Sequence, residues 1–320
     1  MGHALIRQDP AWDTVRFSQS SLRSWLNAID ERTRQPVAGP FATDADDGIT
    51  RLAAELLRLW DVRAAASVPT FENTAWQRSL ANAHNWMSGL RWIQQDWDGA
   101  AVHAGQALEI SQRLAQKDSA NSDLQGTLAT AHSRHAQVWV SLGLLNQAQL
   151  AYEQAFTIYT TQLEKDPRNA GWRDILSDLH AELGWIQECR GHFAQALEHH
   201  LTNLEISQGL VAEGEKREGW QRDLALAHMD CGRVLLAQGS AGDAMPHLEE
   251  AVRTFGHLLD AERPGTLLDC AGAKALLARA CKQQGDFEQA ARLTAHLADL
   301  NWRPESVDTP SRARMLAELS

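Results

Sequence analysis

The stretch Asn169-Ala-Gly-Trp172-Arg-Asp-Ile-Leu176-Ser-Asp-Leu-His180 decides the fold, because the chain repeats it. Its columns return in Asn73-Thr-Ala-Trp76-Gln-Arg-Ser-Leu80-Ala-Asn-Ala-His84 and in Asn121-Ser-Asp-Leu124-Gln-Gly-Thr-Leu128-Ala-Thr-Ala-His132. They return once more in Arg217-Glu-Gly-Trp220-Gln-Arg-Asp-Leu224-Ala-Leu-Ala-His228. Positions 76, 124, 172 and 220 stand 48 apart, and the Leu and His columns keep that step. Self-similarity at such a period marks stacked supersecondary units, none of which buries its apolar face alone.

Each unit resolves into two helices. The first, helix A, runs about twenty residues from the Trp column; Gly143, Gly191 and Gly239 close it at the same place in three units. Glycine just past a helix end takes the left-handed conformation that caps the last carbonyls. The second, helix B, is expected to open near Ala100, Ala148, Ala196 and Ala244, with Leu108, Phe156, Leu204 and Val252 filling the seam eight residues on. Pro246 is expected in the first turn of its helix. A fifth unit follows at a step of 46, with Gln284-Gly-Asp-Phe-Glu-Gln-Ala290 matching Gln238-Gly-Ser-Ala-Gly-Asp-Ala244.

The flanks are less regular. Residues 1–70 read as a degenerate repeat or cap: Asp9-Pro-Ala-Trp12 echoes the unit's opening, and a loop over 34–48 with Pro36 and Pro40 interrupts the helical pattern. Five hairpins then occupy 71–300, and 301–320 holds a capping helix, Ser311 to Leu319. End units of a solenoid must turn one face to water, so atypical ends are expected.

Composition agrees. Abundant Ala, Leu, Gln, Glu and Arg with two Tyr and seven Phe make an all-α chain. A net charge of −11 disfavours nucleic acid, whose phosphates need a basic face, and equally an anionic membrane surface. Cys189, Cys231, Cys270 and Cys281 form no C-x-x-C pair and fall in apolar helical positions, which reads as buried, reduced thiols of a cytoplasmic protein. The opening residues lack the apolar core of a secretion signal, and no stretch is long and apolar enough for a membrane span.

Gly285-Asp-Phe-Glu-Gln-Ala-Ala291, Gly191-His-Phe-Ala-Gln-Ala-Leu197 and Leu145-Asn-Gln-Ala-Gln-Leu-Ala151 resemble the inter-helix turn of the tetratricopeptide (TPR) family, in a long-helix bacterial form. The likeness covers residues 71–300 and departs from the family's shorter unit, so each helix is longer by about two turns. It implies a right-handed α-solenoid of stacked helix-turn-helix repeats, whose A helices line a concave groove that binds peptides, partner helices or other subunits.

Four copies of one unit permit an internal comparison. Counting from the Trp column, offsets 0, 4, 7, 8, 11 and 12 are repeatedly apolar, small or His, and form the core stripe. The stripe at offsets 2, 6, 10 and 13 changes from unit to unit and is the candidate partner-binding surface. It carries Arg78, Asn82 and Trp86, then Arg134 and Gln137, then Asp174, Asp178, Glu182 and Trp185, then Arg222, Asp230 and Arg233. Asp174, Asp178 and Glu182 put three carboxylates on one helix face, suited to a basic partner segment. The plainer expectation is a solvated face neutralised by Arg222 or Arg134. Trp86 and Trp185 are the aromatic anchors.

The His column, His84, His132, His180 and His228, reads as partly buried imidazoles bonding neighbouring groups, since copies one repeat apart cannot converge on one ion. His132 with His135, and His199 with His200, lack the further ligands that a metal needs. No phosphate-cradling glycine loop, nucleophile elbow or H-E-x-x-H motif occurs. The sequence thus points to a non-enzymatic scaffold without cofactor or metal that holds a protein or peptide. Two other readings stay open, a small-ligand sensor and a self-oligomerisation module, and so does the oligomeric state.

Overall fold

A computed structural model describes residues 74–213, 218–260 and 266–299. All belong to one compact unit, Thr50–Ser320. The expected N-terminal cap with its loop 34–48, the C-terminal helix and the side chain of Trp76 lie outside what is described.

Among the described residues ten helices follow one another: α1 Thr74–Ile93, α2 Trp97–Lys117, α3 Ser122–Ser141, α4 Leu145–Lys165, α5 Ala170–Cys189, α6 Phe193–Ala212, α7 Glu218–Ala237, α8 Ala241–Asp260, α9 Thr266–Gln284 and α10 Phe287–Asp299. No strand occurs among the described residues. Odd-numbered helices are the A helices and even-numbered ones the B helices. Each A helix packs on its own B helix, each B helix on the next A helix, and neighbouring A helices touch at α1–α3, α5–α7 and α7–α9. The result is an α-solenoid of five hairpins.

Local chemistry sets the boundaries. Asn121 Oδ1 accepts from the backbone N–H groups of Asp123 and Leu124 at the start of α3, and Asn169 Oδ1 from that of Trp172 at the start of α5. Each cap satisfies donors that a helix start leaves orphaned. The Nδ2 groups of the same asparagines donate to Asp118 and Asp166, which fixes the short polar links. At the other end, Gly143, Gly191, Gly239 and Gly285 have φ between 75 and 82°. In each turn the next residue's N–H reaches back five positions, as Leu144 to the Trp139 carbonyl and His192 to the Gln187 carbonyl do. The first turn has the same bonds, Gln95 to Trp92 and Asp96 to Arg91, but a glutamine in the glycine column, with φ of 60°.

The seam between A and B helices depends on a column of small residues. Ser88, Ala136, Gly184 and Gly232 are all buried. A Cβ on Gly232 would lie 2.5 Å from Leu248 Cγ, and one on Gly184 2.7 Å from His200 Cε1, so the glycines stand where the facing side chain is large. Offset 5 belongs to the core as well: Ala81, Ala129, Ser177 and Ala225 are buried there, although the residue types alone did not mark the column.

Two expectations need correction. The B helices begin three residues before the alanine column, so Pro246 is the sixth residue of α8 rather than part of its first turn. It is exposed, and water can reach the Gly242 carbonyl that its missing N–H leaves unbonded. Cys189, expected buried, is exposed because it ends α5, beyond the packed part of the helix; Cys231, Cys270 and Cys281 are buried. No described helix is long and apolar enough to cross a membrane.

Gln95→Gly removes left-handed strain from the first turn and should stabilise the array by about 1 kcal/mol, read as a higher urea midpoint at unchanged helicity.

Candidate functional site

The stripe that varies between units lies along the line where adjacent A helices meet. Its residues are mostly half-buried; Asp178 and Thr130 are exposed. The structure joins several of them across the seam. Arg78 donates to Asp123 of the next unit at 2.7 Å, and Arg222 pairs with Asp269 at 2.6 Å, a carboxylate that is itself buried. The Arg134 guanidinium lies against the Cα of Gly89 and donates to Gln137. Glu182 takes the hydroxyl of buried Tyr152, whose pKa is raised by burial and by that carboxylate. Asn82 and Trp86 stand half-buried on α1.

A largely buried charged cluster joins units three and four. Arg233 pairs with Glu188 and, at 2.8 Å, with Asp230, and its guanidinium lies 5.1 Å from the centre of the Trp185 ring. Side-chain exposures of 11% for Arg233 and 8% for Glu188 make this a buried pair, whose two charges each depend on the other. Glu188 also meets His200 Nε2 at 2.7 Å. Burial holds the His200 pKa down, so the neutral ring donates its Nε2–H to the carboxylate. Trp185 and Arg233, singled out as reading residues, are thus part of the joint between units. Asp178 is the exposed carboxylate of this face, with Asp174 half-buried one turn before it and Asn82 and Trp86 half-buried on the first unit.

The other unshared tryptophans are also held in place. Trp92 Nε1 donates to Ser141 Oγ at 2.7 Å and its ring meets Trp97 edge-on, while Trp139 stacks on His135 at 3.9 Å. A shallow notch of about 450 Å³, lined by Gln149, Gln187, Arg190, His192 and His199, is walled by polar groups, unlike the apolar clefts that usually enclose small ligands. Arg190 bridges Asn146 and Gln149 across it.

The histidine column has a counterpart that inspection of helix A alone could not find. His84 meets His103, His180 meets His199 and His228 meets His247, each pair nineteen residues apart in sequence. The second column is broken at Ala151, which hides it from a search for invariant positions. Among the described residues no group of three or more potential ligands could hold a metal. The buried thiols are no better placed for chemistry: burial and Asp230 push Cys231 up to about 12.

No family model matches the chain and no curated protein does. Solved structures do. BtubC (BKLC) from P. vanneervenii aligns over 80% of this chain and 91% of its own, at 18% identity and a TM-score of 0.61. A putative kinesin light chain from Podosopora anserina, described as having nearly identical TPR-like repeats, aligns over 70% of this chain and 96% of its own, at 18% identity and a TM-score of 0.47.

Arg233→Met leaves Glu188 buried without its cation and should destabilise the array by about 3–5 kcal/mol; adding Glu188→Gln should recover part of that loss. Urea unfolding of the single and double variants measures both.

The chain has the fold of a TPR-like α-solenoid.

Proposed function

We propose that this protein is a non-enzymatic cytoplasmic scaffold that holds a partner protein or peptide along the face formed by its A helices, with residues 1–70 and 301–320 as end caps. One observation carries the reading: hairpins of one design place different side chains at equivalent positions of one face, from Arg78 and Asn82 to Asp174 and Asp178. A stack that only had to be stable could repeat those positions as it repeats its core. Variation on a fixed frame lets a partner be recognised by many weak contacts spread over several units.

The carboxylates Asp174 and Asp178, one turn apart on α5, favour a basic partner segment. Glu182 contributes to the same field but is also tied to Tyr152.

In quantitative affinity capture from the native host, Asp174→Asn with Asp178→Asn should lower recovery of a basic partner about tenfold, a loss near 1.4 kcal/mol, while helicity stays unchanged. Equal recovery by the double variant and the wild type would exclude this stripe as the docking surface.

A further inference from the structure

Three of the five hairpins share one device. His84 on α1 faces His103 on α2, His180 on α5 faces His199 on α6, and His228 on α7 faces His247 on α8. The Nδ1 atoms are 3.1, 3.0 and 3.1 Å apart, and the ring centroids are 5.3 Å apart in every pair. The centroid separation exceeds the nitrogen separation by about the width of an imidazole ring, so the two nitrogens point at one another head-on. An ion on the line between them would need nitrogens about 4 Å apart, at ordinary bond lengths of about 2 Å. The gap fits a proton.

A neutral pair satisfies this geometry in one way: one ring is the Nδ1–H tautomer and donates, and the other accepts. A first added proton leaves an imidazolium that still donates to its neutral neighbour. A second proton leaves two N–H donors facing each other and two like charges in contact. Each pair therefore tolerates one proton and not two.

The surroundings resist that second proton. All six rings are half-buried. Arg91 in the last turn of α1 and Asp96 in the turn after it act on His103 with opposite sign, and Gln106 bonds to it. His199 feels His200 and Glu198, and α4 presents Phe156 edge-on to His180 at 5.1 Å. His228 feels Glu250 and Arg253 of α8, again of opposite sign. The second hairpin lacks the pair, because Ala151 replaces the partner of His132, although burial lowers the pKa of His132 to about 4 and that of His135 as well. Alanine is thus compatible with the fold at that position.

We propose that the three histidine pairs are acid-release latches: each holds its two helices together through one shared proton and lets go when both rings become charged, so acid loosens these hairpins. The sign follows from linkage. Burial lowers the pKa of His103, His180, His199, His228 and His247 in the folded chain, to about 4 for His180. The unfolded chain then binds more protons, so stability is full above about pH 6.5 and falls as the pH drops toward 4.

The test uses the full chain. In ¹⁵N-histidine NMR at pH 7.5, three imidazoles should carry their proton on Nδ1, and His103→Ala, His199→Ala and His247→Ala should each abolish one such bond and turn a two-step titration of the partner into a single step. Hydrogen exchange corrected for intrinsic pH effects should show α1–α2, α5–α6 and α7–α8 opening about tenfold more at pH 5 than at pH 7.5, and the variant carrying all three alanines should lose most of that rise. Exclusively Nε2-protonated rings would overturn the proposal, as would an equal acid opening of these hairpins in the triple alanine variant. A rise in Tm with NiCl₂ that the triple alanine variant abolishes would reassign the pairs to metal binding and overturn it as well.

Discussion

Everything in this molecule depends on how closely a helix A can lie on its helix B. Ser88, Ala136, Gly184 and Gly232 set that distance, and the facing residues are fitted to it, with His200 and Leu248 filling the space the two glycines leave. Once the hairpin is closed, its remaining apolar face is covered by the next hairpin, as Tyr159 on Trp172 illustrates between α4 and α5. Such an array gains its stability from neighbour contacts, and the buried Glu188–Arg233 pair shows that these joints are polar as well as apolar.

The same economy explains why the variable stripe is only half-exposed. Neighbouring A helices approach closely enough for Arg222 to reach Asp269 and for Arg134 to lie on Gly89. Side chains that differ between units therefore serve two ends, local neutralisation within the stack and recognition outside it. Asp178 lies at the outward end of that range, while Arg233 lies at the inward end with 11% of its side chain exposed.

The architecture was legible because the stack imposes the same demands on each copy: a capping asparagine at 121 and 169, and a left-handed residue at 143, 191, 239 and 285. Gln95 escaped notice since it meets that demand with a residue whose type does not announce it. The buried column at offset 5 was missed for a related reason, small residues such as Ala81 and Ser177 being common on any helix face. The histidine pairs were half-visible. The helix A member recurs in four copies, but its partner is nineteen residues away and lost in one of them, so the pairing is evident only when the helices are closed. Of the candidate stripe, the spacing of Asp174 and Asp178 along one face was readable, whereas the engagement of Arg233 with Glu188 required the register between two units, which helical periodicity does not contain.

The central claim is that successive hairpins lie against one another in one constant register. Val102 and Leu150 occupy equivalent, exposed positions on α2 and α4, and Glu198 continues the series on α6. With Cys189 replaced by Ser, spin labels at 102 and 150 and, separately, at 150 and 198 report the two steps by pulsed electron resonance. The account predicts two narrow and matching distance distributions; distances that differ between the steps, or a broad distribution for either, would contradict it.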